Sequence, residues 1–513
     1  MRLHWIAIAA VAIAIIIVIL FNVFQYSGIS KTETLRIAIP TDISTIDIHF
    51  AKGVSDFEIL GKVYESLFKI YFDSHSNKLM YKPWLIRGFT QINDTYWVFI
   101  LRSNVHFHNG KELTSDDVKC SLERAMKIGP IGRMLLRDAE GKPIIKEIRV
   151  LNMTAFALIL NKPFYPLIEN LAHLATAIMP REICEKYFDT PVTNLSDVIG
   201  TGPYKLIEYR RGKGAKLALF TNYWETKPRV KNVEYIVSPD PNARVSALLT
   251  GQVDIILGVP PELIQQLKEK NFKIYNITGA RLVLVAINVK RIPEVRVRQA
   301  MNYAIDKRSI VENMLYGYAR VADSVVSPVF PGAAKLRIYK YNSSKAQQLL
   351  RESGEINETL KLLVSTRSPT DIEVAQIIQN LLKRIGIEVV IEELEHTAFL
   401  KRVFVEHDFD LALYGPSPSS LYYALTYWRT GAALNAPQYS NPYVDKLLDK
   451  AASEKDPAKR AEIYRIIQEV IWKDCPAIWL YFENVVVASK PTVNELKILP
   501  FQMLDLEKVS IDE

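Results

Sequence analysis

The sequence predicts an α/β protein of two lobes built on mixed sheets, preceded by a membrane-spanning helix. Three observations carry that expectation. At 513 residues the chain is too long for one hydrophobic core, which stops growing near ~250 to 300 residues. The first half mixes strands, a hairpin and two helices, whereas from residue 282 onward helices alternate with single apolar strands, an order that stacks helices on a sheet. Ahead of both, the run from Trp5 to Phe24 carries no charge, and about 20 apolar helical residues cross a bilayer core.

That run is too long for the apolar core of a cleaved secretion signal, and QYSGIS supplies a poor cleavage site, so residues 1–30 are expected to be an uncleaved anchor. Arg2 and the terminal amine precede the span, which places the body from about residue 31 outside the cytoplasm. No cysteine follows to take a lipid. Six Asn-x-Ser/Thr sequons, beginning at Asn93, Asn152, Asn194, Asn276, Asn342 and Asn357, are compatible with export.

Along the body, LRIAIPTDIS alternates as a strand and breaks at Pro40. Ser55 and Glu58 resemble a capping box opening a helix whose apolar face runs through Phe57, Leu60, Val63, Tyr64, Leu67 and Phe68. TYWVFILR at 95–102 is a strand, HNG at 108–110 a turn, and Thr114 with Asp117 opens a second helix. AFALILN at 155–161 is a strand, and the glycines of RRGKGA make 204–222 a hairpin. Asp306 caps a helix closed by Gly317. Val374, Ile377, Ile378, Leu381, Leu382 and Ile385 put one apolar face on a helix over 371–385, followed past Gly386 by the strand IEVVIEEL. Asp456 and Pro457 start a helix that ends before the strand AIWLYF.

The chemistry that would mark an enzyme is missing: there is no HExxH, GxSxG, GxxxxGK[ST] or GxGxxG. No enzyme activity and no cofactor are expected. His106 and His108 share one strand face but lack further ligands nearby, so no metal site is expected. The net charge of +8 is spread among acids along the chain, which argues against a nucleic-acid partner. Cys120, Cys184 and Cys475 allow at most one bridge, and the apolar neighbours of Cys120 and Cys475 favour buried free thiols.

Several segments resemble, in order, the extracellular solute-binding proteins of family 5, the dipeptide, oligopeptide and nickel type that feeds ABC importers. They are VYESLF at 63–68, YWVFILRSNVHFHNGKELTSDDVKCSLERAM at 96–126, GTGPYKL at 200–206, LLTGQVDI at 248–255, RVRQAMNYAID at 296–306, YSNPYVDKLL at 439–448 and DCPAIWLYF at 474–482. The departures are Cys120, where a Phe is usual, and an acid-free loop at 414–423. The resemblance implies a two-lobed periplasmic-binding-protein-like fold of type II, in the large class with an extra subdomain. Lobe I would take 35–285, with the extra subdomain at about 52–198, and be completed by 478–513; lobe II would take 286–477. It further implies a solute captured between the lobes and delivered to a membrane permease and its ATPase subunits, outside the cytoplasm. A sensory or chemotaxis-linked binding module is the alternative use of such a fold, and an extracellular hydrolase a more distant one.

Candidate ligand-binding residues gather where aromatic faces and hydroxyls share a loop: Tyr414, Ser417, Ser419, Ser420, Tyr422, Tyr423 and Trp428. Arg281, Asn288 and Asn435 adjoin the expected hinge strand and the lobe II rim, and Arg367 resembles by position an arginine that dipeptide binders use for the peptide carboxylate. Because YGPSPSSLYY has no carboxylate, and an unpaired buried ammonium costs several kcal/mol, a neutral or anionic polar solute is expected, an oligosaccharide or amino-blocked peptide, with a general oligopeptide as the close alternative.

Overall fold

Alternation in Thr34–Ile39 buries Leu35, Ile37 and Ile39, and this strand seeds the sheet on which the rest is hung. The computed structural model describes residues 34–138, 141–337, 339–353 and 358–512; the expected anchor at 1–30 and the sequon Asn357 lie outside them. Among the described residues no helix is long and apolar enough to cross a membrane.

Thr34–Ile39 pairs in parallel with Asn232–Val237 on one side and Ile255–Leu257 on the other, and the hairpin expected over 204–222 extends this unit as Tyr204–Arg210 and Gly214–Leu219. A second parallel unit joins Val389–Leu394, Leu360–Ser365 and Leu411–Tyr414, with helix Pro369–Lys383 as the crossover that parallel pairing requires. Two long antiparallel strands, Lys273–Ile287 and Ala477–Ser489, connect the units into one eleven-stranded mixed sheet. Their register slips between Thr278 and Leu282, where a side chain on Gly279 would meet the Glu483 carbonyl at 2.5 Å.

Outside this sheet, Ile86–Asn93, Tyr96–Leu101, Ala155–Leu160 and Ile145–Asn152 form a four-stranded antiparallel sheet with its own core, in which helix Ser115–Lys127 buries Val118 and Leu122. Thr114 and Asp117 make the expected capping box, with the Thr114 N–H donating to Asp117 Oδ2 at 2.7 Å. The caps at Asp306 and Asp456 also form as expected.

Two expectations are corrected. The helix opening near Ser55 spans only Val54–Leu60; Gly53 is its cap, the Asp56 carboxylate takes the role expected of Glu58, and Phe68 begins the strand Phe68–Asp73. The apolar face continues but the helix does not, because the backbone of 62–65 is committed elsewhere. Gly202 and Tyr204 donate their N–H groups to the Val63 and Lys62 carbonyls at 2.9 and 3.0 Å, and Ile178 donates to Glu65 at 2.9 Å. Gly200 makes that approach possible, since its Cβ would lie 2.0 Å from the Val63 oxygen. Cys120 is not a free thiol: it is bonded to Cys184, with Cα atoms 6.1 Å apart, because helix Ser115–Lys127 packs on helix Arg181–Lys186. Cys475 is free and buried.

Candidate functional site

A cleft of about 650 Å³ opens between the segment after the first helix, the loop before helix Leu421–Thr426, and the C-terminal stretch near 497–508. Its size falls in the ~300 to 1,000 Å³ range of small-ligand sites. The bend at 61–67 turns Glu65 into this space, where four donors converge on its carboxylate. Trp84 Nε1 and the Tyr223 hydroxyl reach Oε1 at 2.7 Å each, and the Thr201 hydroxyl and Trp224 Nε1 reach Oε2 at 2.7 and 3.0 Å. Burial pushes this carboxyl up and the four donors act against it. Four donors fill the lone-pair sites of a carboxylate, so Glu65 has no position left for a ligand's ammonium.

Above Glu65 the indole of Trp84 carries two lysines, Lys69 Nζ at 4.2 Å and Lys82 Nζ at 4.6 Å from the ring centre. Lys69 is paired with Glu507 and Lys62 with Glu58. The other lysines of the lining, Lys52, Lys82, Lys497 and Lys508, have no carboxylate partner among the described residues. Set against Asp505, a lining carboxylate also without a cation partner among the described residues, these four lysines leave the cleft a surplus of positive charge facing apolar and aromatic walls.

Of the sequence-derived candidates, Ser417, Ser419 and Tyr423 line the cleft. The Ser419 hydroxyl is buried with no partner among the described residues. Ser420 instead caps helix Leu421–Thr426, accepting from the Tyr423 N–H at 3.2 Å. Tyr422 packs edge-on to Phe164 at 5.5 Å, Tyr414 packs edge-on to Phe404 at 5.3 Å, and Trp428 is buried against Trp479. Asn288 and Asn435 are buried structural amides, donating to the His407 and Phe409 carbonyls and to the Arg429 and Tyr439 carbonyls respectively. Arg281 bridges Glu483 at 2.8 Å and Asp371 at 3.3 Å while donating to the Gly415 carbonyl, so it braces the loop against the long strands. Arg367 is exposed beside His396, away from the cleft. The two histidines of the turn also separate: His108 is buried on the Gly202 carbonyl with its ring held down to about 4 by burial, while His106 contacts the Asn104 carbonyl.

Glu65, Trp84 and the C-terminal lining were not among the candidates. Glu65 does sit in VYESLF, but nothing in its local pattern separates a cleft carboxylate from a helix-surface one. Away from the cleft lining, the first half of the chain also touches the second half. The Tyr165 N–H donates to the Ala452 carbonyl and the Leu79 N–H to the Val329 carbonyl, both at 2.8 Å, and Arg460 lies over the Tyr165 ring at 5.8 Å.

The family model described as bacterial extracellular solute-binding proteins, family 5, middle, matches residues 80–435. The nickel-binding protein NikA of Staphylococcus aureus is 26% identical over 482 residues, covering 92% of each chain. The glutathione-binding protein GsiB of Salmonella paratyphi A is 28% identical over 494 residues, covering 90% of this chain and 92% of its own. The oligopeptide-binding protein AppA of Bacillus subtilis, solved with a nonapeptide, superposes with a TM-score of 0.77 at 25% identity, covering 94% of this chain and 99% of its own. The chain belongs to the family 5 extracytoplasmic solute-binding proteins, whose two-lobed mixed-sheet architecture it shares.

Proposed function

We propose that this chain is the substrate-capturing component of an ABC importer that takes a neutral or anionic polar solute, of peptide or oligosaccharide class, and presents it to a membrane permease. The lobes are taken as 35–285 completed by 478–513, and 286–477, with the long strands Lys273–Ile287 and Ala477–Ser489 crossing between them. The observation that carries the solute reading is the charge of the cleft: Lys52, Lys82, Lys497 and Lys508 are unpaired while the buried carboxylate of Glu65 is saturated by four donors. An anion gains from those ammoniums; a free amine finds no open acceptor of opposite charge on Glu65. Ser417, Ser419, Tyr423, Tyr427 and Trp84 supply the hydroxyls and ring faces that orient such a solute. A bare metal cation is a poor fit, since among the described residues no group of three His, Cys, Asp or Glu could hold one.

Isothermal titration with free peptides, their N-acetylated counterparts and acidic and neutral oligosaccharides tests this reading. Binding of an acetylated peptide or an oligosaccharide is expected, with that of the anionic ligands weakening as salt rises. A strong preference for the free amino form overturns the charge argument. No binding by any of these, together with no ligand-dependent compaction in small-angle scattering, overturns the import reading.

A further inference from the structure

We propose that Asn93 and Asn152 are N-glycosylation sites, one at each hairpin tip of the four-stranded subdomain. The proposal rests on the extracytoplasmic position of the family and is independent of which solute fills the cleft. Each tip is built the same way. Asn93 ends the strand Ile86–Asn93 and Asp94 and Thr95 turn the chain into Tyr96–Leu101; Asn152 ends Ile145–Asn152 and Met153 and Thr154 turn it into Ala155–Leu160. Both asparagines are exposed. At the first tip the Thr95 N–H and hydroxyl donate to Asn93 Oδ1 at 2.9 and 3.2 Å; at the second the Thr154 N–H and hydroxyl donate to Asn152 Oδ1 at 2.9 and 3.3 Å. The carbonyl half of each side chain is thus held inward, while neither Nδ2 donates a hydrogen bond within the described residues. Attaching a sugar there breaks no contact.

A second observation marks the same two places. Met153 is 69% exposed and Ile92 61%, beside the two sequons, and Leu151 adds 45%. Val405 at 72% and Tyr316 at 58% are as exposed away from any sequon, so Ile92, Leu151 and Met153 mark the tips as solvent-facing and accessible. The sequons elsewhere are presented differently. Asn276 lies within the long strand Lys273–Ile287 with Oδ1 accepting from Asn484, Asn342 accepts from the Lys345 N–H, and Asn194 accepts from the Ser196 N–H without its hydroxyl. Neither tip lines the cleft; the first stands beside Tyr165, whose hydroxyl donates to Asp94 Oδ1 at 2.8 Å.

The transfer requires a polyprenyl-phosphate-linked or polyprenyl-diphosphate-linked oligosaccharide as donor. Asn Nδ2 attacks the anomeric carbon, the C–N bond forms as the anomeric C–O bond breaks, the lipid phosphate leaves with the electron pair, and one amide proton passes to a base of the transferase. The Oδ1 acceptor and both threonine bonds survive the step, because only an N–H hydrogen is replaced.

The test is glycopeptide mass spectrometry of the full chain isolated from the cells that make it, beside Asn93→Gln and Asn152→Gln variants, with impermeant amine labelling of intact cells to report location. An oligosaccharide mass on the Asn93 and Asn152 peptides is expected, each single variant losing one increment of apparent mass and the double variant two. Unmodified Asn93 and Asn152 peptides from a surface-labelled chain overturn the proposal and leave the import reading standing. Modification confined to Asn194, Asn276 or Asn342 also overturns it, and a chain that resists labelling removes its premise.

Discussion

Four hydrogen bonds converge on the Glu65 carboxylate, two of them from indole N–H groups that can only donate. Replacing one oxygen by an amide nitrogen, as in Glu65→Gln, sets donor against donor in a buried site. Bonds to a charged acceptor are worth about 1.5 to 3 kcal/mol each, so a loss of about 2 to 3 kcal/mol in denaturant unfolding is expected, and unchanged stability would refute this account of the network. Glu169 behaves differently. It stands where helix Leu167–Leu171 meets helices Leu421–Thr426 and Pro457–Asp474, facing Ser420, Arg460, Tyr81 and Tyr464, and burial lifts its carboxyl from 4.5 to about 7. A carboxyl whose value is higher when docked binds its proton more tightly in that state. Docking is therefore strongest below about 4.5 and weakens as pH climbs through about 7. Scattering at about pH 5 and about pH 8 should show the more compact chain at the lower pH, and Glu169→Gln should flatten the difference. Neither carboxyl was legible in the sequence, since most of its partners arrive from segments more than a hundred residues away, such as Thr201 and Tyr223 for Glu65. Ser417, Ser419 and Tyr423, singled out in a Pro-rich loop, do lie in the cleft lining, whereas Ser420 caps a helix.

At the scale of elements, what the sequence carried were the local signals. Capping residues at Thr114, Asp306 and Asp456, and the glycine at Gly386 with φ +92°, act within a few residues and are read as such. The first helix fails that reading because its end is decided by Gly200 and Gly202, from a distant loop. The disulfide was illegible for the same reason, as spacing alone does not bring Cys120 to Cys184. Its 64-residue separation closes a long loop, and chain-entropy reasoning assigns it about 4 kcal/mol. Cys184→Ser, or reduction of the intact chain, should lower denaturant stability by about that much or less. A bond of this kind also fits an oxidising, extracytoplasmic compartment.

For the molecule as a whole, the proposed import function would make one device of the two long strands, the cleft and the contacts around Tyr165. Solute contacts on both sides favour a closed state, and the apparent affinity falls with the fraction of chains able to close. The Arg460 guanidinium, on helix Pro457–Asp474, lies over the Tyr165 ring, and such a half-buried contact is worth about 0.5 to 1 kcal/mol. It does not line the cleft, so its loss acts on closure and not on solute contacts. Arg460→Ala should therefore enlarge the radius of gyration of the solute-free chain and raise Kd about two- to fivefold, while the solute-bound chain keeps the compact radius. Kd raised with no change in the free chain's dimensions would locate the effect in the site itself, against this account, because a residue that works only through closure must move both quantities together.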